Sequence, residues 1–570
     1  MERVQGDSAP RRAGREAAGL ALLAVAPLLP FLDAAVSIDA PVFLAVTRQI
    51  LAAPGDPFGF EMIWDPSSPR AAEFNLNPPL LSYYLAPAVA LFGEREVWLH
   101  AWLLPFPVLA ALSFLGIARR TGGPALAPAA LLVTTPAFLV LATTLMLDVP
   151  TLACLLFAVY ALLRGAEGEG AGWPLVAGLA TAAAGLCKYV GMSALPLAAA
   201  GVALLYRRRL PAALLVVGIP LVAWALWGAY TARLYGRVHF LTGVEFASER
   251  RFVASEFWNH LCSIPIYYGA ALLFPIFAWV RALLRREPRP EIDALGLVLG
   301  TAAVVWVLPE GFPTRRHPIG IEEAVLGAAG FAGAFALWLR CLAAARRRAR
   351  ALDLFLALWL LGFLVFSALV NWHVNAADAL LAAPPLLLLL YRTPALRPPP
   401  RVAAAFAAAS LAMAVLLAWA ESEQAGAYRS AARQIAASLA GEEGARWYVG
   451  TWGFQYYLER DGFRGIPPRS FGEMQRRERR APGDWIASAR NTPQMDEKVQ
   501  LAGLRFRGLR TWKQEFWLPL RTNHVDAGAG FYSHRLGYVP FAWYAGPLEE
   551  IGLARIESLG GSRAATAAPR

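Results

Sequence analysis

Asp39, Asp148 and Lys188 lie far apart in the chain, yet each stands at the end of an apolar run. Charges near membrane depth cost roughly 2.5–3.5 kcal/mol each on insertion scales, so those kept there are functional candidates. Asp39 follows the first apolar run, in SIDAPVFLAV. A carboxylate against low-dielectric surroundings has a raised pKa and can act as a general base towards a hydroxyl; a helix cap or a solvated loop residue would read the same way. Asp148 sits in TTLMLDVPTLACLLF, and Pro150 just after it suits a helix's first turn, so Asp148 is expected as the N-cap of the next helix. Capping and substrate binding are compatible there. Lys188 is the only lysine before the C-terminal tail and shares a turn with Tyr189 and Gly191. A compact ammonium at that point suits a phosphate presented from the lipid headgroup layer; the alternative is a snorkelling anchor. Truncating its head is expected to weaken phosphate binding while leaving folding nearly unchanged.

Further candidates surround these three. Arg315, Arg316 and His317 form a basic cluster against the local charge bias, fit either to hold a phosphate or to pair with Glu310, Glu322 or Glu323. Asn77-Pro78-Pro79 closes an acidic loop that includes Glu61, and the prolines impose a rigid, extended approach to PLLSYYLAPAVALF. Glu61, Asn77, Tyr83 and Tyr189 are the candidates for lining a substrate loop.

The elements that must carry these residues are membrane helices. Of 570 residues, 57% are hydrophobic and 16% charged, outside the range of an ordinary soluble domain. The net charge of +12 does not point to nucleic acid, because much of the arginine falls in short loops between apolar runs, the topogenic pattern. The four cysteines form no CxxC pair, which gives no support to a disulfide framework or a cysteine zinc site. Residues 17–32 form a first span with the basic N-terminus inside, and 33–77 form an outer loop rich in acids. Residues 79–92 are too short for a comfortable crossing and are placed in the interface, where Tyr83 and Tyr84 belong. With 79–92 so placed, arginine clusters at 119–120, 207–209, 285–289, 346–350 and 392–401 all fall inside. The expected fold is an α-helical polytopic membrane protein of about thirteen transmembrane helices. It occupies residues 1–420, with an outer loop and interfacial helices at 33–96. A small C-terminal α/β domain follows over 421–570, with strands at WYVGTW and 484–489. Asp39, Asp148 and Lys188 then all face outwards.

Several stretches together resemble one superfamily: the acid after the first span, Pro-Pro-Leu-x-x-Tyr-Tyr, LMLDVP and GLCKYVGMSALPL. The chain is similar to the GT-C membrane glycosyltransferases of the protein O-mannosyltransferase and aminoarabinose-transferase type, over roughly residues 15–210 by motif and beyond that by topology. The resemblance implies a polyprenyl-phosphate sugar donor and a lipid, glycan or protein acceptor. It implies Asp39 as catalytic base and Asp148 as second acid. Two departures stand out: Ala40 follows Asp39 where the family often has Asp-Glu, and NAADALLAAPPL offers Asp378 where many members have an arginine. Lys188, Arg315 and Arg316 are therefore the expected phosphate ligands. No cofactor and no required metal are expected, and no nucleic-acid partner. The Arg- and Ala-rich composition fits a bacterial inner membrane, with the active side and the tail periplasmic. The competing reading is a transporter or lipid flippase, in which Asp148 and Lys188 form a gated ion pair.

Overall fold

A computed structural model describes residues 8–207, 209–251, 254–285, 289–307, 319–468, 470–471, 474, 480–492, 501 and 504–559. The chain divides into two compact units that are not contiguous in sequence. One comprises Met1–Asp33, Leu76–Glu421 and Pro519–Tyr544, the other Ala34–Asn75, Ser422–Leu518 and Ala545–Arg570.

The first unit is helical. Among the described residues eight helices are long and apolar enough to cross a membrane, or nine if Phe257–Ala270 and Phe274–Leu284, bent by 79°, make one broken span. This is fewer than about thirteen. Trp173–Cys187 and Tyr189–Leu205 are apolar but short, and the expected 124–145 span is two short helices, Leu126–Val133 and Pro136–Ala142. The break has a local cause: Pro136 begins a new helix and Thr135 caps it, its hydroxyl accepting from Phe138 N at 3.2 Å. Ala254–Ala270 and Ile321–Arg348 touch through glycines, where a Cβ on Gly330 would lie 2.7 Å from the Ile266 carbonyl oxygen. Small residues at such crossings let helices approach closely where lipid supplies no hydrophobic drive.

Two buried ion-pair sets fix helix ends. Arg340 meets Asp293 at 2.6 Å. The fully buried Asp353 accepts from Arg348 Nε at 2.9 Å and from Arg392 at 3.0 and 3.1 Å. Arg348 and Arg392 belong to the arginine clusters that the sequence places inside.

The segment 519–544 belongs to this helical unit although it comes from the C-terminal tail. Short strands Leu520–Arg521 and Ala542–Trp543 pair antiparallel, as do Asn523–His524 and Ala529–Gly530. Tyr267 Oη donates to the carbonyl oxygens of Gly530 (2.8 Å) and Gly537 (3.0 Å). Glu421 accepts from the Thr522 hydroxyl and from Tyr532 Oη, the latter at 3.0 Å.

The second unit carries a five-stranded mixed sheet in the order Arg464–Gly465, Arg446–Val449, Trp485–Ala489, Glu549–Leu559, Leu504–Gln514. Trp447, Val449, Ile466, Ile486 and Ala554 form a core against it. Asp484, just before the central strand, ties it to the start of its neighbour, accepting from Ala445 N (3.0 Å) and Trp447 Nε1 (2.9 Å). The helix Ala40–Ala52 and a short hairpin, Glu61–Asp65 with Ser68–Arg70, belong to the same unit.

Candidate active site

Lys188 and Asp148 form an ion pair, Nζ to Oδ1, at 2.6 Å, with the carboxylate 5% and the lysine side chain 25% exposed. Two helix ends bring them together. Trp173–Cys187 stops because Lys188 turns extended (φ −150°, ψ 137°), and the chain folds back so that Gly191 N donates to Lys188 O at 2.8 Å. Gly191 is required there: a Cβ would strike the Ala184 carbonyl and come within 2.9 Å of Gly185 N. The K-Y-x-G spacing is thus a device for ending one helix with its lysine turned out of the helical ladder. Asp148 is the first residue of the helix Asp148–Ala166, whose N-cap is Leu147, so the expected N-cap position is off by one. Its carboxylate is engaged by the lysine.

Around this pair lie groups from three other stretches. Asp378 is in the first turn of Ala376–Arg392 and forms a capping box with Asn375: its N donates to Asn375 Oδ1 at 3.0 Å, and its Oδ2 accepts from Asn375 N at 3.1 Å. Asn371 Nδ2 donates to both carboxylate oxygens, at 3.0 and 2.9 Å. Lys188 and Asp148 are both near enough to act on Asp378 electrostatically. His373 Nε2 lies 2.9 Å from Asn375 Nδ2. An amide NH₂ only donates, so the imidazole accepts at Nε2 and carries its proton on Nδ1. Burial, then the nearby charges of Lys188, Arg535 and His260, hold His373 well below the ordinary histidine value, and the ring is neutral.

His534 and Arg535 arrive on the 519–544 segment. His534 N donates to Val374 O (2.8 Å), Val374 N donates to His534 Nδ1 (3.0 Å), and Ala376 N donates to Phe531 O (3.0 Å). These bonds zip the segment to the loop that leads into Asp378. The Arg535 guanidinium lies 5.2 Å from the Trp372 ring centroid, and that ring lies 4.1 Å from His373. His260 stacks edge-on against His534 at 5.3 Å.

Tyr189 Oη accepts from Trp227 Nε1 at 3.0 Å and contacts His239 Nδ1 at 2.6 Å. Indole N–H is donor-only, so the phenol proton goes to His239. Burial pushes the Tyr189 hydroxyl well above the usual phenol range, so it stays protonated. Asn77 is half-buried before Leu80–Phe92, and Tyr83 on that helix is 38% exposed. Tyr84 instead holds the next helix, exchanging hydrogen bonds with Trp102 at 2.9 Å in both directions.

Asp39 and Glu61 belong to the second unit. Asp39 is half-buried at the N-cap of Ala40–Ala52, where its backbone oxygen accepts from Val42 N at 3.0 Å. The residue before it, Ile38, has φ 53°. A β-branched residue in the left-handed region is strained, and such strain concentrates where a side chain must be aimed. Glu61, itself exposed, opens a hairpin strand whose other residues are half-buried. Arg315, Arg316 and His317 lie outside the described residues. Among the described residues no group of three or more His, Cys, Asp or Glu side chains is placed to hold a metal ion.

Sequence reading did not find Asp378, His373, His534 or Arg535 as companions of Lys188. Asn375-x-x-Asp378 before an apolar run spells a capping box, so Asp378's place at a helix start could have been read. Nothing local marks Arg535, which is brought in from the far end of the chain.

Residues 76–234 match the family described as dolichyl-phosphate-mannose-protein mannosyltransferase. That range holds Asp148 and Lys188 but neither Asp39 nor the 519–544 segment. No curated protein matches the chain. Among solved structures, ArnT from Cupriavidus metallidurans in the apo state is 17% identical, covering 97% of this chain and 100% of that one, with a TM-score of 0.43. The Archaeoglobus fulgidus oligosaccharyltransferase in the apo form is 15% identical over 79% of this chain and 64% of that one, TM-score 0.46. The S. cerevisiae protein O-mannosyltransferase Pmt1-Pmt2 complex bound to the sugar donor is 17% identical over 40% of this chain, TM-score 0.31; the match spans 34% of that chain's length. The resemblance in sequence is therefore to that mannosyltransferase family, over residues 76–234.

Proposed function

We propose that the protein is an integral membrane glycosyltransferase that moves a sugar from a polyprenyl-phosphate donor to an acceptor hydroxyl on a lipid, glycan or protein. It works at the periplasmic face of a bacterial inner membrane. The observation that supports this most is the Lys188–Asp148 pair, nearly buried at the meeting of two apolar helix ends within the matched stretch. The ArnT structure from Cupriavidus metallidurans, 14% identical over 96% of this chain with a TM-score of 0.39, is bound to undecaprenyl phosphate, the kind of lipid phosphate that the donor proposed here would leave behind.

In this reading Asp39 takes the acceptor hydroxyl's proton, the acceptor oxygen bonds to the anomeric carbon, and the bond from that carbon to the phosphate oxygen breaks. Polyprenyl phosphate leaves with the electron pair, and the single displacement inverts the centre. A phosphate is already a good leaving group, so the protein's task is to stabilise its growing charge rather than to protonate it. Lys188 contributes that charge, and Asp148 positions the lysine.

A transporter would also employ an Asp148–Lys188 pair, as a gate. Turnover separates the two. Purified protein given a sugar-charged polyprenyl phosphate and an acceptor should release free polyprenyl phosphate, and Asp39→Asn should slow this on the order of 10²-fold or more. Undiminished turnover in Asp39→Asn would remove Asp39 from the mechanism, and no release by the wild type would overturn the enzyme reading.

A further inference from the structure

We infer that the edge of the five-stranded sheet carries a binding site for a phosphate-bearing ligand, built by Arg507, Arg510 and Arg555 around Trp485. All four residues belong to the second unit, and the site does not depend on the function proposed for the helical one.

Leu504–Gln514 is the edge strand, and its eleven residues, LRFRGLRTWKQ, carry four basic side chains and no acid. Residues three apart on a regular strand point to opposite faces, so Arg507 and Arg510 should diverge. Gly508 prevents that. It takes φ 63°, a conformation in which glycine opens a bulge, and the pairing shifts there: Arg510 lies opposite Leu553, and Arg507 opposite Arg555. Three residues on one strand thus span two on the other, and both arginines lie on the face that carries Leu553 and Arg555. Arg555 is paired in turn with Trp485, and Trp485 with Arg446, so a single row crosses four strands on that face.

Trp485 is the platform of the row. The guanidiniums of Arg510 and Arg555 lie over its ring, 5.8 and 5.4 Å from the centroid. Arg510 comes from the edge and reaches across the strand between to do so. Trp485 is 5% exposed, and its Nε1–H is buried without a hydrogen-bond partner among the described residues. An unpaired buried donor is costly. What the indole supplies is a π surface that holds two cations and leaves their in-plane N–H groups for hydrogen bonding. Arg555 is fixed further by its Nε, which donates to Gly483 O at 2.9 Å.

The charge of this row is unmet. Arg507 and Arg510 are exposed, and among the described residues neither makes an ion pair or a hydrogen bond. Glu550 is shared by Arg490 and Lys513, at 3.5 and 3.3 Å. Glu557, on the same strand as Arg555, is exposed and makes no ion pair among the described residues. Like charges directly opposite one another weaken a sheet, so Arg507 facing Arg555 is unfavourable until an anion joins them. A phosphomonoester brings a charge of about −1.5 to −2 and three acceptor oxygens, and guanidinium forks match phosphate geometry. A carboxylate brings one charge and would leave more of the row unmet. Charges and bulges also guard sheet edges against unwanted pairing. Guarding does not account for Arg555, on the strand inside the edge, sharing a ring with Arg510.

The test uses full-length protein in phosphatidylcholine nanodiscs, with inorganic pyrophosphate titrated by calorimetry and thermal unfolding as the check on folding. Wild type should bind pyrophosphate. The double variant Arg507→Gln/Arg510→Gln should bind it about 10–100-fold more weakly, the loss of one or two charge-assisted contacts. Lys513→Gln, on the same strand but paired with Glu550, should stay within about twofold of wild type. Wild type that binds no pyrophosphate would overturn the inference. So would a double variant within about twofold of wild type, or a loss in Lys513→Gln as large as in the double variant, which would mark a diffuse attraction and no built site. A double variant that binds normally but self-associates would show that the arginines only guard the edge. Should the double variant not fold, Arg507→Gln alone decides by the same comparison. Repeating the titration in nanodiscs that contain phosphatidic acid separates two sources of the phosphate: weaker pyrophosphate binding by wild type, absent in the double variant, supports a lipid headgroup as occupant, and equal binding supports a free phosphate compound.

Discussion

Lys188 changes meaning once its partner is known. Read alone it is a terminal charge whose head can be cut without structural loss. Paired with a carboxylate that is 5% exposed, it neutralises Asp148. Lys188→Met should therefore destabilise the protein by roughly 3–5 kcal/mol, the cost of leaving a buried charge uncompensated. The double variant Asp148→Asn/Lys188→Met should regain most of that loss in thermal unfolding and none of the turnover. A double variant no more stable than Lys188→Met would mean that the pair does not interact as described. Glu549 in the sheet-bearing unit makes a second residue-scale prediction. Its Oε1 accepts from the backbone N of Arg490, Asn491 and Glu550 at 2.9, 3.0 and 3.0 Å, yet burial lifts the carboxyl from 4.5 to about 7. A raised acid binds its proton more tightly when folded, so its contribution is full below the unfolded value near 4.5 and is lost as pH rises to about 7. The unit's melting temperature should fall across that window, and Glu549→Gln should flatten the fall. At this scale the sequence was legible where residue type and neighbours sufficed, as for Lys188 in K-Y-x-G. It was illegible where a residue's surroundings depend on distant partners, as where the 519–544 segment meets the loop at Val374, a meeting no local pattern records.

At the scale of elements, hydrophobic runs located the helices but did not show where a run is broken. A run such as 124–145 has the composition of a span, while Pro136 and the Thr135 cap divide it into two short helices. Hydropathy sums over a window and is blind to a cap within it. The strands at Arg446–Val449 and Trp485–Ala489 were readable because short apolar runs between Gly, Pro and Asp have few other uses. The seating of 519–544 was not readable, because it depends on Tyr267 reaching two carbonyl oxygens far away in sequence. Tyr267→Phe should strand those buried acceptors at a cost of about 1–3 kcal/mol, and limited proteolysis should then cut within 519–544 first. Unchanged protection would show that Glu421 and the Val374 pairing hold the segment without the tyrosine.

For the whole molecule, the arginine clusters remain the strongest reading of orientation, and the Asp353 site adds to it. Arg348 and Arg392 converge on one buried carboxylate at one end of Ala376–Arg392, while Asp378 lies at the other. Cysteine labelling should find residues near Arg347 protected from an impermeant outside reagent and residues near Asp65 reactive. The opposite pattern would invert the proposed face. One consequence concerns the order in which the protein is made. A ribosome releases the spans bearing Asp148 and Lys188 long before it reaches residues 519–544, and synthesis proceeds at about 5–20 residues per second. The helical unit therefore stays incomplete, short of His534 and Arg535, until the segment 519–544 has been made. A nascent or prematurely stopped chain would hold its lysine and acids in the membrane without the segment that completes their surroundings, and so would be inserted well before it is competent. Deleting the tail at residue 518 would therefore remove part of the membrane unit itself.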